Sequence, residues 1–318
     1  MIDRLLLSVL LACSLPAWAD GYPVKPIRLV IPYAPGGTTD TLARIVGKGL
    51  LARWGQPVIP DNRSGAAGNI GAEAVAKAPA DGYTLMLSAA GPLAVNKGLY
   101  KSLPYDPDAF VPVSIIARSH SLLVVHPDKG RNSLAELIAE ARARPDKLTY
   151  ASSGIGSTPH LAAELFKSMS GTHIVHVPYR GVAPALTDLV AGHVDMMFVE
   201  MGAALPYVRS GQLRALALGS DTRKPALPDV PTVAETLPGF LSVTWFGLAA
   251  PPGTPPAVAG RLALATDELL REPEVRRQIE SLNIEAVGGT PAQAVSFIRQ
   301  ESSRWLNVLA QAGIHAQE

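Results

Sequence analysis

The sequence predicts an α/β fold with parallel-rich sheets. Strand-like and helix-like segments alternate along almost the whole chain, and this alternation is typical of parallel sheets covered by helices on both faces. Two turns rich in glycine and hydroxyl residues, at 31–40 and 153–159, each join a strand-like segment to a helix-like one. Ligands bind beyond the carboxyl ends of strands in such sheets, so we expect the two turns to form the halves of one site.

The first turn, IPYAPGGTTD, follows the apolar segment Ile27–Ile31, which is predicted to be a buried strand. Its glycine pair at 36–37 would let the backbone approach a ligand closely. Thr38, Thr39 and Asp40 are good N-cap residues, and the helix that they open would direct its N–H groups at a carboxylate or phosphate. Asp40 is expected to cap this helix; if it pointed at the ligand instead, it would favour a ligand with an ammonium group. An ordinary βα turn is the alternative.

The second turn follows the predicted strand Leu148–Ser152. Ser157 or Thr158 suits an N-cap, and Pro159 suits the first turn of the helix that follows. Ser157 and His160 raise the alternative of a hydrolase. The segment around Ser157 does not match the G-x-S-x-G nucleophile elbow, so we expect His160 to pack or hydrogen-bond locally.

The first nineteen residues are predicted to be a signal peptide that is removed on export. They contain Arg4, the apolar run Leu5–Ala12 and the small-x-small cleavage sequence Ala17-Trp18-Ala19. Lipidation of Cys13 is an alternative, because the residues before it resemble a lipoprotein cleavage box. No later apolar run approaches the roughly 20 residues that a membrane helix needs, so the mature chain is expected to be exported and soluble.

Composition excludes several kinds of site. Cys13 is the only cysteine, so a chain without the leader has no disulfide, no cysteine metal site and no thiol nucleophile. The formal net charge of +1 gives no reason to expect nucleic acid or an anionic membrane as a partner. His173 and His176 are expected to face opposite sides of a strand. We therefore predict no metal site and no cofactor.

The remaining elements are predicted from apolar periodicity and from helix start and stop signals. Further strands are predicted at Tyr83–Ser88, Val113–Ile116, Leu122–Val125, Ile174–Val177, Val194–Phe198, Leu213–Leu218, Val243–Leu248 and Glu285–Val287. Helices are predicted at Leu42–Trp54, Ile70–Lys77, Ser133 to about Arg144 (opened by a capping box with Glu136), Ala183–Ala191, Pro256–Leu270, Glu274–Leu282 and Pro291–Ala312.

Two further segments carry candidate residues. The sequence VPYRG at 177–181 places Tyr179 and Arg180 at the carboxyl end of a predicted strand. Arg180 could pair with a carboxylate, and a solvated arginine beside a turn is the alternative. Trp245 and Phe246 lie in an apolar strand, and we expect core packing for at least one of them.

The motifs together resemble the Bug family, the solute-binding proteins of tripartite tricarboxylate transporter systems. The resemblance covers nearly the whole chain after the leader. It rests on six segments in order: YPVKPIRLVIPYAPGGTTD at 22–40, NRSGAAGNIGAE at 62–73, APADGYTL at 78–85, GIGSTPHLAAELF at 154–166, HVPYRGVAPALTDLVAGHVDMMF at 176–198 and LPDVPTVAE at 227–235.

This resemblance implies a bilobal periplasmic binding protein whose two α/β lobes are joined by crossing strands. Lobe 1 would hold residues 21–122 and 247–318, and lobe 2 would hold residues 123–246. The ligand would be a small organic carboxylate, held largely by backbone N–H groups and hydroxyls. The residues implied to bind it are Tyr33, Ala34, Pro35, Gly36, Gly37, Thr38, Thr39, Asp40, Ser88, Gly154, Gly156, Ser157, Thr158, His160, Tyr179, Arg180, Gly181 and Phe198.

Two positions depart from the family pattern. Many relatives have an acidic residue directly after the position of Phe198, whereas here Val199 follows and the acid is Glu200. The stretch Ser88–Gly91 has one hydroxyl residue, where relatives often have more. Both positions are expected to line the ligand, so the identity of the ligand does not transfer from relatives.

The resemblance also implies a role. A monomeric, non-catalytic protein would close its two lobes around the anion and present it to the membrane permease subunits of a tripartite tricarboxylate transporter. A sensory protein whose closed form contacts a signalling receptor is the alternative within binding proteins. The rival class is the hydrolase that uses Ser157 and His160.

Overall fold

The structure is a computed structural model that describes residues 21–179 and 181–315, so the predicted signal peptide, Cys13 and Arg180 lie outside the described residues. The strands are β1 (Ile27–Ile31), β2 (Val58–Asn62), β3 (Thr84–Ala89), β4 (Val111–Val125), β5 (Thr149–Ser152), β6 (Val175–Pro178), β7 (Met196–Glu200), β8 (Arg214–Leu218), β9 (Val243–Ala250) and β10 (Glu285–Gly288). The helices are α1 (Thr38–Trp54), α2 (Asn69–Ala76), α3 (Asn96–Leu99), α4 (Leu134–Ala143), α5 (Thr158–Ser170), α6 (Val182–Val190), α7 (Met201–Arg209), α8 (Pro256–Arg271), α9 (Pro273–Glu280) and α10 (Pro291–Ala312).

Strands β4 and β9 join the two halves of the sheet. In the first half, β1 pairs in parallel with β2 and β3, and β3 pairs antiparallel with β9. In the second half, β5 pairs in parallel with β6 and β7. Strand β4 pairs with β9 from Val111 to His120 and with β7 from Ser121 to Val125, so it crosses from one half to the other. The predicted α/β fold of two lobes joined by crossing strands is confirmed.

Helices cover both faces of each half of the sheet. In the first lobe, α1, α8 and α9 pack on one face, and α2 and α10 pack on the other. In the second lobe, α4 and α5 pack on one face, and α6 and α7 on the other. The apolar residues of α1 that recur at helical spacing, Leu42, Val46 and Leu50, are all buried against the sheet. Because both faces are covered, the strand edges and loops between the lobes are left to form the site.

Several element boundaries follow from local chemistry that the sequence shows. The Ser133 hydroxyl accepts a hydrogen bond from the N–H of Glu136 at 3.2 Å, as the capping motif predicts. Helix α10 begins at a complete capping box formed by Thr290 and Gln293. Helix α1 ends at Gly55, whose φ of +65° closes the last turn in the left-handed conformation that glycine favours.

Apart from the helical segment at 91–99, three elements differ from the sequence predictions for physical reasons. The segments at 113–116 and 122–125 are parts of the single strand β4, because its polar middle residues pair with β9 instead of forming a turn. Strand β2 was not predicted, since it contains Pro60, which is tolerated there because β2 lies at the end of the sheet order. Helix α7 was also missed, because Pro206 lies inside it and proline normally argues against a helix interior.

No helix in the described parts of the chain is both long enough and apolar enough to cross a membrane.

A buried carboxylate fastens the crossing strand β9 to helix α10. The indole N–H groups of Trp245 and Trp305 both donate to Oε2 of Glu301, at 3.0 and 3.1 Å. Arg304 pairs with the same carboxylate at 2.8 Å, and Glu301 is only 6% exposed. This cluster therefore holds β9, which joins the lobes, against the longest helix of the first lobe.

We predict that Glu301→Ala destabilises the fold by about 3 kcal/mol, because two buried indole N–H groups and a guanidinium lose their acceptor. Thermal unfolding followed by circular dichroism should show a melting temperature several degrees lower. The exposed neighbour Gln300 provides the control, and Gln300→Ala should melt close to wild type. An unchanged melting temperature for Glu301→Ala would show that the cluster does not stabilise the fold.

Candidate functional site

A cavity of about 780 Å³ lies between the lobes at the carboxyl ends of five strands. The turns that follow β1, β3, β5 and β6 reach it, and so does the end of β7. Its described lining consists of Tyr33, Ala34, Pro35, Gly36, Gly37, Thr38, Thr39, Ala67, Ala89, Ala90, Gly91, Val95, Asn96, Leu99, Ser153, Ile155, Gly156, Ser157, Thr158, Pro159, Gly181, Val182, Glu200, Ala203, Thr244 and Phe246. The two glycine turns identified from the sequence therefore meet in one cavity.

The turn after β1 brings the N-terminus of α1 to the cavity. Gly36 has a φ of +86°, which favours glycine, whereas Gly37 has an extended backbone and serves as the N-cap. Helix α1 has no side-chain cap among the described residues. The N–H groups of Thr38 and Thr39 in its first turn are thus left for a ligand.

Asp40 does not point into the cavity. Its carboxylate accepts hydrogen bonds from the Gly36 N–H at 3.0 Å and from Asn62 at 3.1 Å, and it pairs with Arg44. The Arg44 guanidinium holds the pKa of Asp40 below its usual range, and burial opposes this. The expected N-cap role is therefore wrong: Asp40 fixes the glycine turn from behind, and it gives no preference for an ammonium ligand.

The turn after β5 brings the N-terminus of α5 to the opposite wall. Gly156 has a φ of +76°, and a Cβ there would collide with Leu99 of the first lobe. The Ser157 hydroxyl donates to the Gly154 carbonyl at 2.6 Å and accepts from the N–H of His160 at 3.4 Å. Because its one hydrogen is already used, Ser157 acts as the helix cap in this conformation, while Thr158, whose first-turn N–H has no partner within the helix, lines the cavity.

Two stacked histidines lie behind this turn. His160 and His176 have ring centroids 4.2 Å apart, and Tyr150 stacks on His176 at 4.7 Å. Burial lowers the pKa of both imidazoles to about 4. The neutral His160 accepts the Gly156 N–H on Nδ1 at 3.0 Å, and Nε2 of His176 lies 2.6 Å from the Ser152 hydroxyl. The pair thus positions the turn and does not line the cavity.

A third helix start comes from the turn after β6. Gly181 is the N-cap of α6 with a φ of +126°, and the described residues provide no side-chain cap for this helix. Gly181 and Val182 line the cavity. The Tyr179 hydroxyl instead donates to Asp188 at 2.7 Å, outside the lining. Nothing can be placed for Arg180, which is outside the described residues.

Besides Asp40, His160 and Tyr179, three more predicted residues lie outside the lining. Gly154 shapes the second turn with a φ of +124° but does not face the cavity. Ser88 is fully buried beneath Tyr33, and its neighbours Ala89 to Gly91 line the cavity in its place. Phe198 is packed in the core of the second lobe between Phe166 and Phe240, so it makes no wall of the site.

Burial raises the pKa of Tyr33 to about 12, and hydrogen bonding from Ser88 and the Ala89 backbone opposes this increase. Tyr33 therefore stays a neutral hydroxyl at the cavity wall over the physiological pH range.

Several lining residues were missed because they come from elements that the sequence did not reveal. Asn96 and Leu99 belong to α3 and follow an unpredicted helical turn at 91–95. Thr244 and Phe246 lie on the crossing strand β9, where the apolar run indicated core packing. Trp245 does pack in the core, as expected for at least one of the aromatic pair, but Phe246 borders the cavity.

The cavity offers hydrogen-bond donors without cations. Among the described lining residues there is no lysine, arginine or histidine, and Glu200 is the only member of a charged residue type. The described structure gives no hydrogen-bond partner for the hydroxyls of Thr38, Thr39, Ser153 and Thr158. The described residues also contain no group of three or more His, Cys, Asp or Glu side chains arranged to hold a metal ion.

The sequence matches the family described as "Tripartite tricarboxylate transporter family receptor" over residues 42–314. The chain belongs to this receptor family. It is 41% identical over 301 residues to Protein BugT of Bordetella pertussis, covering 94% of this chain and 92% of that protein. The family assignment made from the six motifs is therefore confirmed.

Solved structures agree with the receptor fold. The adipate-bound protein Rpa4515 of R. palustris has a TM-score of 0.83 and 39% identity, covering 93% of this chain and 100% of the other. The malate-bound protein MatC (Rpa3494) of Rhodopseudomonas palustris has a TM-score of 0.79 and 33% identity, covering 91% and 100%. Members of the receptor family are periplasmic solute-binding proteins.

We predict that acid destabilises this receptor through the histidine pair. The folded-state pKa of each imidazole is about 4, against 6.5 for the ordinary value. The unfolded chain takes up protons first as pH falls, so the stabilisation is complete above about pH 6.5 and is lost progressively towards pH 4. At pH 5 each histidine should account for a loss of about 2 kcal/mol.

Urea unfolding at pH 7.5 and pH 5.0 should show this loss. His160→Gln removes one of the two groups, so the stability difference between the two pH values should shrink by about 2 kcal/mol. His173→Gln, at an exposed position, provides the matched control. The same pH dependence in wild type and His160→Gln would contradict the assignment.

Proposed function

We propose that this receptor captures a small organic carboxylate in the cavity between its lobes and delivers it to the membrane subunits of a tripartite tricarboxylate transporter. The observation that carries the proposal is a convergence from both lobes on one cavity. Within the described residues, the N-termini of α1 and α6 there have no side-chain cap, several lining hydroxyls have no hydrogen-bond partner and the lining has no cationic side chain. Family membership supports the transport role.

An anion in this cavity would be held by fixed dipoles. The first-turn N–H groups of α1 and α6 lie at the positive ends of their helices, where a carboxylate is favoured. Hydrogen bonds to a charged group contribute about 1.5–3 kcal/mol each, so a few of them suffice for tight binding. The glycine turns are held by Asp40 and His160 before any ligand arrives, and this preorganisation lowers the cost of binding.

The remaining wall suits a short carbon chain. Leu99, Ile155, Val182 and Phe246 add apolar surface between the polar ends of the cavity. A volume of about 780 Å³ is in the usual range for small-molecule sites. These features support an aliphatic dicarboxylate or a related acid as ligand, and the solved relatives bind adipate and malate.

The lobes would move about β4 and β9. We propose lobe 1 as residues 21–122 and 247–318, and lobe 2 as residues 123–246. The change of β4 from pairing with β9 to pairing with β7 occurs between His120 and Ser121, next to this limit. A ligand that contacts both lobes favours the closed arrangement by its differential affinity.

We propose that the protein binds its ligand without catalysing a reaction. The Ser157 hydroxyl donates to the Gly154 carbonyl and not to a base. The imidazole of His160 is turned to the Gly156 N–H and stacked on His176. Ser157 therefore lacks the hydrogen-bonded base that nucleophilic catalysis requires.

We place the mature protein in the periplasm, on the strength of the predicted signal peptide and of the location of its relatives. Both halves of the cavity come from one chain, which supports action as a monomer.

We predict that a carboxylate ligand stabilises the receptor and that its amide does not. At about 100 times its dissociation constant, a ligand raises the free energy of unfolding by about 2.7 kcal/mol. A thermal-shift screen of aliphatic dicarboxylates should therefore give a clear hit. The matching diamide should give no shift, because it brings no negative charge to the helix N-termini.

Gly37→Val should abolish this shift with little loss of stability. Gly37 has an extended backbone, and a Cβ there would have its nearest neighbour, the Ala34 carbonyl oxygen, at 3.9 Å. The valine would fit locally but fill the space where the anion binds. Gly260→Val, at an open position in α8, is the control. A normal ligand shift in Gly37→Val would exclude the turn after β1 from the site.

We predict that binding closes the lobes, because the two glycine turns belong to different lobes. Small-angle X-ray scattering at ligand saturation should give a smaller radius of gyration than the free protein. Gly37→Val, treated with the same ligand, should keep the radius of the free form. A radius that is identical with and without bound ligand in the wild type would count against closure.

A further inference from the structure

Glu200 occupies a special position in the cavity. It is the last residue of β7 and the N-cap of α7, yet its side chain caps no N–H of that helix. It borders both the main cavity and an adjoining space of about 250 Å³ lined by Gly36, Thr38 and Ser119. Its carboxyl group therefore lies at the floor, where the main cavity meets the crossing strands.

Two hydroxyls accompany this carboxyl group. Ser119 of β4 and Thr244 of β9 are directly paired in the antiparallel ladder, so their side chains share one face of the sheet. Thr244 lines the main cavity and Ser119 lines the adjoining one. Ser119 is 1% exposed and Thr244 is 4% exposed, and within the described residues neither hydroxyl meets the geometric requirements of a hydrogen bond.

Leaving buried hydroxyls without partners is costly, about 1–3 kcal/mol for each group. Buried polar groups are usually satisfied, and two unsatisfied neighbours on one cavity floor indicate a place that a ligand completes. Residues 21–179 and 181–315 also supply no cation that pairs with Glu200. Burial raises the pKa of Glu200, and the Thr244 hydroxyl nearby partly opposes this.

We propose that Glu200, Thr244 and Ser119 form a specificity subsite that accepts a hydrogen bond from a hydroxyl or ammonium group on the carbon chain of the ligand. The proposal rests on the function proposed above, and it narrows the ligand to a hydroxy- or amino-substituted carboxylate. The helix N-termini bind the carboxylate, and the floor recognises the hydroxyl or ammonium substituent by hydrogen bonding.

The chemistry of the floor favours a proton donor over a second ionised carboxylate. An ionised carboxylate has no proton to donate to Glu200, and any ionised fraction of Glu200 would repel it. A hydroxyl gives Glu200 a donor and can also accept from Thr244 or Ser119. An ammonium group supplies the missing countercharge. An unsubstituted chain brings no donor to Glu200 and leaves the buried Ser119 hydroxyl without a partner, which disfavours such ligands.

Isothermal titration calorimetry on two matched series tests this proposal. Succinate, malate and aspartate share four carbons, and adipate, 2-hydroxyadipate and 2-aminoadipate share six. For the better-fitting length, the wild type should bind the substituted acids at least about tenfold more tightly than the unsubstituted acid. Glu200→Gln should reduce the preference for the amino acid about tenfold or more, while the unsubstituted acid binds as well as before or better.

Thr244→Val tests the hydroxyl side of the floor with nearly the same volume, and it should reduce the preference for the hydroxy acid. If Glu200→Gln melts far below wild type, the affinities of Thr244→Val for the same acids still test the subsite. Glu280→Gln, at the exposed end of α9, should change no affinity. A loss of affinity that is equal for all acids would mean that Glu200 shapes the cavity without reading the substituent, and would overturn the proposal.

The results of this titration distinguish a failure of the subsite from a failure of the proposed carboxylate function. Equal binding of substituted and unsubstituted acids by the wild type would overturn the subsite and leave the carboxylate function standing. Failure of every acid in both series, with no thermal shift for any other dicarboxylate, would overturn the carboxylate function and the subsite together.

Discussion

The antiparallel pairing of β4 with β9 determines how the two halves of the sheet are placed and therefore where the cavity lies. Strand β4 pairs with β9 in one half of the sheet and with β7 in the other, so the carboxyl ends of the parallel strands in the two halves meet at one cavity. Turns from β1, β3, β5 and β6 meet there because a parallel strand must end where its crossover helix begins. The cavity is thus a consequence of topology. The Glu301 cluster lies outside the cavity lining and stabilises this arrangement by holding β9 against α10.

Under the proposed function, backbone N–H groups would bind the anion in place of the cationic side chains that many anion sites use. The carboxylate of Asp40 and the imidazole of His160 lie behind the turns and do not line the cavity: Asp40 holds Gly36, and His160 holds Gly156. Their directions of pKa change agree with these roles, since Asp40 is favoured as a carboxylate and His160 as a neutral acceptor. A site built from N–H dipoles avoids burying a lysine or arginine, whose desolvation would be costly when the cavity is empty.

The sequence predicted the parts of the site that depend on local chemistry. The strand Ile27–Ile31, the glycine turns and the helix starts at Thr38 and Thr158 each have a signal within a few residues. What the sequence could not show depends on long-range contacts. Phe246 faces the cavity and Trp245 the core because alternate residues of β9 point to opposite faces, and nothing in the apolar run says which face is open. Asp40 is likewise a residue type that favours the N-cap position, but its carboxylate accepts hydrogen bonds from Arg44 and Asn62 instead.

The proposed separation of carboxylate binding by helix N-termini from chain recognition by side chains would explain how related receptors bind different acids. Helix N-termini recognise a carboxylate without regard to what it is attached to, so they cannot distinguish adipate from malate, the ligands of two solved relatives. Discrimination must come from side chains that touch the rest of the ligand. Under the proposed function, those side chains would be Leu99 and Phe246 of the apolar wall and Glu200 of the floor, all of which line the cavity. Because the floor lies on the strands about which the lobes would move, its occupation would affect both selectivity and closure.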